Sequence, residues 1–392
     1  MEFNYEICSK LKQYNTPFYF LDEERFIRQI EETRKEAENA AICFSMKANP
    51  FLIKTAAAYV DFIEVCSLGE LKICIRNQIE AKQIVLAGIN KETDYIDAAY
   101  GYGVRNYIIE SERQMEKLVN SLSKQKDYFA VIALRLDIGN QFGMSLKEAE
   151  TVCRKYVGGQ IQIDDLHIYA GTQNRDEGKQ QQHLELLRKT AEHLNGMRLT
   201  HISRIVYGCG TPVEYFATKN ENTHQNIFVK TVAQMKYQLP GYKQEYELGR
   251  YLAASCGYYV TKVIECRQHD KTYIITDGGT HQLTYYNQQY GRRLPYIKQI
   301  PQRKERKKCV VCGSLCTAAD IIVNDSELWE AEEGDYLIFE NVGAYTMTDG
   351  MQLFLSRELP AVYFRRQSGE VVCIREPYDT GILNGGTKIG EK

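Results

Sequence analysis

"AICFSMKANP", residues 41–50, sets a short apolar run in front of a lysine. Ile42 to Ser45 read as a buried strand, and Asn49-Pro50 as the start of a helical turn. Lys47 falls between them, at the C-terminal mouth of the strand. A lysine there is badly placed for a core and well placed for a site. A doubly wound sheet would carry a glycine fingerprint after its first strand. Here that position holds Lys47.

The same pattern recurs downstream. After "AICFSM" (41–46) come "FIEVCS" (62–67), "QIVLAG" (83–88), "RNYIIE" (105–110), "AVIALRL" (130–136), "DDLHIYAG" (164–171), "ISRIVYG" (202–208) and "EYELG" (245–249). Between them lie stretches such as "SERQMEKLVNSLS" and "HLELLRKTAEHLN", with apolar residues three and four apart. Eight alternating units predict a parallel (β/α)8 TIM barrel. After Arg250 the texture changes. "GYYVTKVIECRQHDKTYIITDGG" reads as two alternating strands around a turn at Arg267 to Lys271. "AVYFRRQSGEVVCIRE" reads as a hairpin with a Ser-Gly turn. A C-terminal antiparallel β domain of roughly 140 residues follows, within the usual domain range. The expected division is an N-terminal segment (1–20) joining the β domain, a barrel (21–250), the β domain (251–380) and a flexible tail (381–392).

Composition narrows the function classes. The chain has 392 residues, 44% hydrophobic, with a formal net charge of −2 and charges of both signs mixed along it. Nothing points to nucleic acid. No apolar run approaches a membrane span. Twelve scattered cysteines fit free thiols in a reducing cytoplasm. The pair Cys309 and Cys312 has no second ligand pair at zinc spacing, so core thiols are favoured and no metal is expected.

Barrel sites gather at the C-terminal ends of strands. Those ends hold Lys47, then Ser67 and Glu70, then His167 and Tyr169. Gly208-Cys209-Gly210-Thr211 follows the seventh strand, and Glu247, Gly249 and Arg250 close the eighth. The glycine loop offers backbone N–H groups to a phosphate, and Arg250 adds a charge. A lysine, a phosphate cradle and a carboxylate are together what pyridoxal 5'-phosphate requires.

At these residues the sequence resembles the fold-type III pyridoxal-phosphate decarboxylases, the diaminopimelate, ornithine and arginine decarboxylases. The resemblance runs from about Thr16 to Phe364. "FSMKANP" is similar to the Schiff-base lysine motif and "EVCSLGEL" to a Ser-x-Gly-Glu segment. "YGCGT" stands at the glycine triplet, and "ELGR" at Glu-Pro-Gly-Arg. "CGSLCTAAD" resembles the segment of the catalytic cysteine, which implies Cys316. "DYLIFENVGAYTM" resembles the Gly-Ala-Tyr segment, which implies Tyr345 on the phosphate. The order and spacing of the motifs carry the match.

The departures bear on substrate. The family's ring-stacking histidine is Tyr169 here, also planar. The acidic residue after the catalytic cysteine is Thr317. The arginine after "DGG" is missing from "DGGTHQLTYY", and the lysine of Lys-Phe-Gly is Gln141. Charge-assisted bonds are worth about 1.5–3 kcal/mol each, so a free, charged distal end would bind poorly. "LCTAAD", "DGGTHQL" and "YAGTQ" are similar to a subgroup acting on carrier-protein thioesters or citryl conjugates. The resemblance implies Thr317, Asp320 and His281 as substrate contacts.

It also implies a mechanism. Lys47 carries the cofactor, Glu247 pairs with the pyridine nitrogen, and Cys316 from a neighbouring subunit protonates Cα in a homodimer. Decarboxylation of a free basic amino acid is the first alternative. Racemisation is the second, although related racemases set an arginine against the pyridine nitrogen. A cofactor carrier or an inactive scaffold is a further possibility. The bland readings are a surface lysine for Lys47, a satisfied structural histidine for His167, a helix N-cap partner for Glu247, a buried thiol for Cys316, ordinary packing for Tyr345, and turn residues for Asp277 and Asp320.

Overall fold

The computed structural model describes residues 11–125, 127–217 and 226–386. Residues 1–10 of the N-terminal segment and 387–392 of the tail lie outside the described residues. The chain forms two compact units. One comprises Ile27–Val213 and His224–Leu252, the other Met1–Phe26, Glu214–Thr223 and Ala253–Lys392.

After a single helical turn, Leu11–Gln13, comes β1 (Phe18–Asp22), which belongs to the second unit. The first unit is a closed barrel of β2 (Ala41–Ser45), β3 (Phe62–Val65), β4 (Ile84–Leu86), β5 (Asn106–Ile109), β6 (Ala130–Arg135), β7 (Ile161–Tyr169), β8 (Arg204–Gly208) and β9 (Lys243–Leu248). All neighbours are parallel, and β2 closes on β9 with Ala41 opposite Glu245 and Phe44 opposite Leu248. Each of the eight expected strands is present. The intervening helices start where the sequence supplies caps. Ser67, Ser111 and Ser145 each accept a hydrogen bond from the N–H three residues on, at Glu70, Gln114 and Glu148. These satisfy donors that a helix N-terminus leaves unpaired.

One irregularity sets which chemistry faces inward. Ile132 of β6 is opposite Ile163, but Ala133 is opposite Asp165. Asp164 is therefore an extra residue, a bulge. Strand side chains alternate between faces, so the bulge reverses the phase of β7. Ile163 matches Ile132, whereas Asp165 matches Ala133 among the residues lining the barrel interior. His167 and Tyr169 follow Asp165 at two-residue steps on the inner face.

The second unit is a sheet in the order β14-β13-β11-β10-β1-β16-β17, with β15 pairing β10 and β12. Its other strands are β10 (Gly257–Gln268), β11 (Thr272–Thr276), β12 (Ile297–Ile300), β13 (Arg306–Cys312), β14 (Ile321–Trp329), β15 (Tyr336–Phe339), β16 (Ala361–Arg365) and β17 (Val371–Arg375). The β10–β11 and β16–β17 hairpins are antiparallel, as their short connecting turns require. Two pairs are parallel, β1 with β16 and β11 with β13. Strand patterning fixes a strand's faces, not its neighbour's direction, so these could not be read in advance. Phe18, Phe20, Tyr258, Val260, Ile338 and Ala361 form this unit's buried cluster.

Among the described residues no helix is long and apolar enough to cross a membrane. No group of three or more potential metal ligands occurs among them either. Cys309 is buried beside Ser326, with Sγ 3.2 Å from the hydroxyl oxygen.

Candidate active site

The barrel gathers its candidate residues on four adjoining strands, β7, β8, β9 and β2. Lys47 lies in the single turn Met46–Ala48 directly after β2. Asn49 then caps the next turn, its side chain accepting from Phe51 N–H at 3.0 Å. Gly249 permits this turn to sit close. A Cβ there would lie 3.1 Å from Ala48 Cβ and 3.2 Å from Ser45 Cβ.

Lys47 Nζ is 2.6 Å from Glu64 Oε2, and a third of the lysine side chain stays exposed. Burial opposes its charge, but the carboxylate of Glu64 above all holds the ammonium well above an ordinary lysine in pKa. Cys66 joins the pair, donating to Glu64 Oε1 at 3.1 Å with Sγ 3.8 Å from Nζ. Burial, then Glu64, pushes the Cys66 thiol far up. Tyr169 places its ring 5.6 Å from Lys47 Nζ and 5.8 Å from the Arg135 guanidinium carbon.

Glu247, next to last in β9, has only 2% of its side chain exposed. His167 Nε2 lies 3.0 Å from its Oε2, and Ser45 Oγ donates to its Oε1 at 3.3 Å. Burial alone would raise the Glu247 carboxyl. The hydrogen bond and charge of His167 reverse that and hold it well below the ordinary range.

After β8 the glycine loop is sterically fixed. A Cβ on Gly208 would lie 2.7 Å from Tyr169 Cδ2. Gly210 has φ +66°, and a Cβ on it would lie 2.4 Å from the Gly171 carbonyl oxygen. The loop is tied down by Ala170 N–H to Gly208 O and Asn174 N–H to Gly210 O. Cys209 is buried, its sulfur 3.1 Å from Thr211 Oγ1. Arg250 donates through Nε to Thr172 Oγ1 at 3.0 Å. Ser67 and Glu70 serve the helix start. Ser67 Oγ accepts from Glu70 N–H, and Glu70 Oε2 accepts from Cys66 N–H.

Sequence reasoning passed over Glu64, Cys66 and Arg135. Arg135 Nη1 is 3.3 Å from Glu110 Oε2. Beside it, Lys91 is 1% exposed and bonds Gly88 O and Gln114 Oε1. Inward alternation with Cys66 was the available signal for Glu64, and a strand-end position was the signal for Arg135.

The sheet unit carries the other candidates. Cys316 and Thr317 are exposed on the turn after β13. Asp320 is buried. Its Oδ1 accepts from Thr280 N–H and Thr280 Oγ1 at 2.7 and 2.8 Å, and its Oδ2 from Leu315 N–H at 2.8 Å. His281 is fully buried, and neither ring nitrogen has a hydrogen-bond partner among the described residues. Burial drives its pKa down to about 4. Tyr345 is half-buried at φ +67°. Asp277 accepts from Thr261 Oγ1 and Lys262 N–H, tying strands together.

With this geometry in place, comparison with known proteins adds a family. The model of the pyridoxal-dependent decarboxylases, described by its C-terminal sheet domain, matches residues 18–343. A 2-[(L-alanin-3-ylcarbamoyl)methyl]-2-hydroxybutanedioate decarboxylase from Staphylococcus aureus is 25% identical, over 85% of this chain and 89% of that one. An L-glutamyl-[BtrI acyl-carrier protein] decarboxylase from Niallia circulans is also 25% identical, over 94% and 93%. The crystal structure of diaminopimelate decarboxylase from Helicobacter pylori with L-lysine superposes with a TM-score of 0.82. It covers 97% of this chain and 98% of that one at 22% identity, a likeness of fold.

Proposed function

The chain belongs to the pyridoxal-dependent decarboxylases, and from that premise we propose that it removes the α-carboxylate of an amino acid held in a larger conjugate. A carrier-protein thioester and a citrate-type amide are the two forms in view, after the relatives that act on such molecules. The observation that carries this reading is on the Cys316 loop. Thr317 presents a neutral hydroxyl there, and the carboxylate of Asp320 is turned inward onto three donors. Residues 312–320 thus offer no free carboxylate to a distal ammonium.

Pyridoxal phosphate is the cofactor, and the residues present fit it. A primary amine stands at the barrel mouth, a buried carboxylate is held anionic, and two glycines leave no space for a side chain. Lys47 would hold the cofactor through its amine. Glu247 would meet the pyridine nitrogen, and Tyr169 would lie against the ring. Gly208, Cys209, Gly210, Gly249 and Arg250 would surround the phosphate. When bound, the cofactor supplies an electron sink for the pair left on Cα as the carboxylate departs. Glu64 pairs with the Lys47 ammonium at rest and is placed to take its proton when the amine must act as a nucleophile. Cys316 would deliver a proton to Cα, reaching the site from a second copy in a homodimer. His281 and Asp320 would shape the substrate end through the loop that they pack. A cytoplasmic setting suits the exposed free thiols Cys266, Cys316 and Cys373.

The test is carbon dioxide release from the cofactor-loaded protein. Candidate substrates are a carrier-bound glutamyl thioester, a citryl-diamino acid, diaminopimelate, ornithine and lysine. Release from a conjugate alone supports the reading, and equal release from a free basic amino acid overturns it.

A further inference from the structure

We propose that His167 is a positioning residue for the decarboxylation, its Nε2–H holding Glu247 as an anion in one orientation. The inference rests on the assignment of Glu247 to the pyridine nitrogen.

The argument begins with burial. Both side chains are 2% exposed. A carboxyl in that position takes up a proton unless donors or cations favour the charged form. Two donors reach it directly, one to each oxygen, His167 from β7 and Ser45 from β2. A hydroxyl contact at 3.3 Å is the weaker of the two, which leaves the imidazole to set the charge.

The other groups facing Glu247 do not replace it. Lys47 and Arg135 are the nearby cations, but their short contacts go to Glu64 and Glu110. Glu245, Cys43, Cys209 and Tyr169 also face it, and as acids they can only disfavour its charge. The His167 side chain makes no other hydrogen bond among the described residues. Its Nδ1 has no partner among the described residues, so the bond to Glu247 alone fixes the ring.

The consequence for the reaction follows from lone-pair counting. Each carboxylate oxygen has two acceptor positions. With His167 and Ser45 taking one on each, acceptor capacity remains for a protonated pyridine nitrogen. That proton makes the ring electron-withdrawing. A neutral Glu247 would not keep it there.

The test uses the cofactor-free protein first. Infrared difference spectra are taken at neutral pH for His167→Phe minus wild type. Glu245, which burial pushes up to about 8 and the charge of Glu247 raises too, is present in both proteins, so a new band is assigned through the double variant. The expected result is an additional protonated-carboxyl band in His167→Phe that vanishes in His167→Phe/Glu247→Gln. In the loaded enzyme, His167→Phe lowers kcat about ten- to a hundredfold, the loss expected for one charge-assisted bond, and moves KM less. His167→Gln, which keeps an N–H donor, recovers most of kcat. If the Phe variant does not fold, His167→Asn, too short to reach Oε2, should give the same band. No new band in either variant overturns the inference. A new band with unchanged kcat also overturns it, as a charge effect without bearing on the reaction. Full activity in Glu247→Gln would instead remove the pyridine assignment beneath it.

Discussion

Lys47 Nζ and Glu64 Oε2 sit 2.6 Å apart because β2 and β3 pair in register, with Ser45 opposite Glu64. The amine that must act as a nucleophile is therefore stored as an ammonium against a buried acid.

Glu64→Gln should release that amine. A raised lysine pKa means that the pair stabilises the fold through the neutral range up to the ordinary 10.5, and that on the alkaline side this is lost only as pH rises through the raised value. Urea titration of the cofactor-free variant should show a loss of about 1–3 kcal/mol. The loss should be constant across the neutral range. A loss that varied between pH 6 and 9 would contradict the pairing.

Lys91 gives the opposite slope. Burial lowers it to about 8 from 10.5, so the folded state binds fewer protons than the unfolded one between those values. Stability should rise with pH across that window, by up to about 1.4 kcal/mol per unit. In Lys91→Met the rise should disappear. Urea midpoints at three pH values within the window decide it.

Gly210→Ala meets two obstacles, a φ of +66° and a carbonyl oxygen 2.4 Å from the new Cβ. The expected cost is about 1–3 kcal/mol of stability. Cofactor affinity should fall about tenfold, equivalent to 1.4 kcal/mol. Calorimetry and cofactor titration measure these separately.

Lys47→Ala and Cys316→Ala should each be inactive when pure. If sites are shared between copies, mixing the unfolded chains and refolding them restores roughly a quarter of wild-type activity, because half the dimers then hold one intact site. No recovery would mean that each copy uses its own cysteine.

Thr317→Asp should redirect specificity. A carboxylate on that exposed turn offers a distal ammonium a charge-assisted partner, worth about ten- to a hundredfold in kcat/KM for ornithine or lysine. Activity on a conjugate should fall.

The sequence carried the barrel and much of its mouth, and the reason is physical. Parallel barrel strands are apolar runs at regular intervals, and site residues collect at their ends. Lys47, Tyr169, Gly208, Gly210, Glu247 and Arg250 all lie there. Glu64 was harder to see, because an acid inside a strand looks like a solvent-facing position until the barrel closes over it. His167 was visible at a strand end, but its partner was not. The inward aim of His167 depends on the extra residue at Asp164, and a bulge leaves no mark in a hydrophobic pattern. The parallel partners of β1 and β11 were equally hidden, since pairing direction is settled by topology.

The place of β1 in its sheet governs how the molecule is made. Phe18 to Asp22 lie between β10 and β16, with Phe18 opposite both Val260 and Ala361. A ribosome releases Phe18 long before Ala361. While translation proceeds, the barrel segments can fold as they emerge, but β1 must wait until β16 has been made for its second neighbour. Contacts so distant in sequence are slow to form. A nascent chain halted before residue 361 would expose β1 as a bare strand edge, a template for pairing with other chains. The sheet therefore closes around β1 only after the whole barrel has been made.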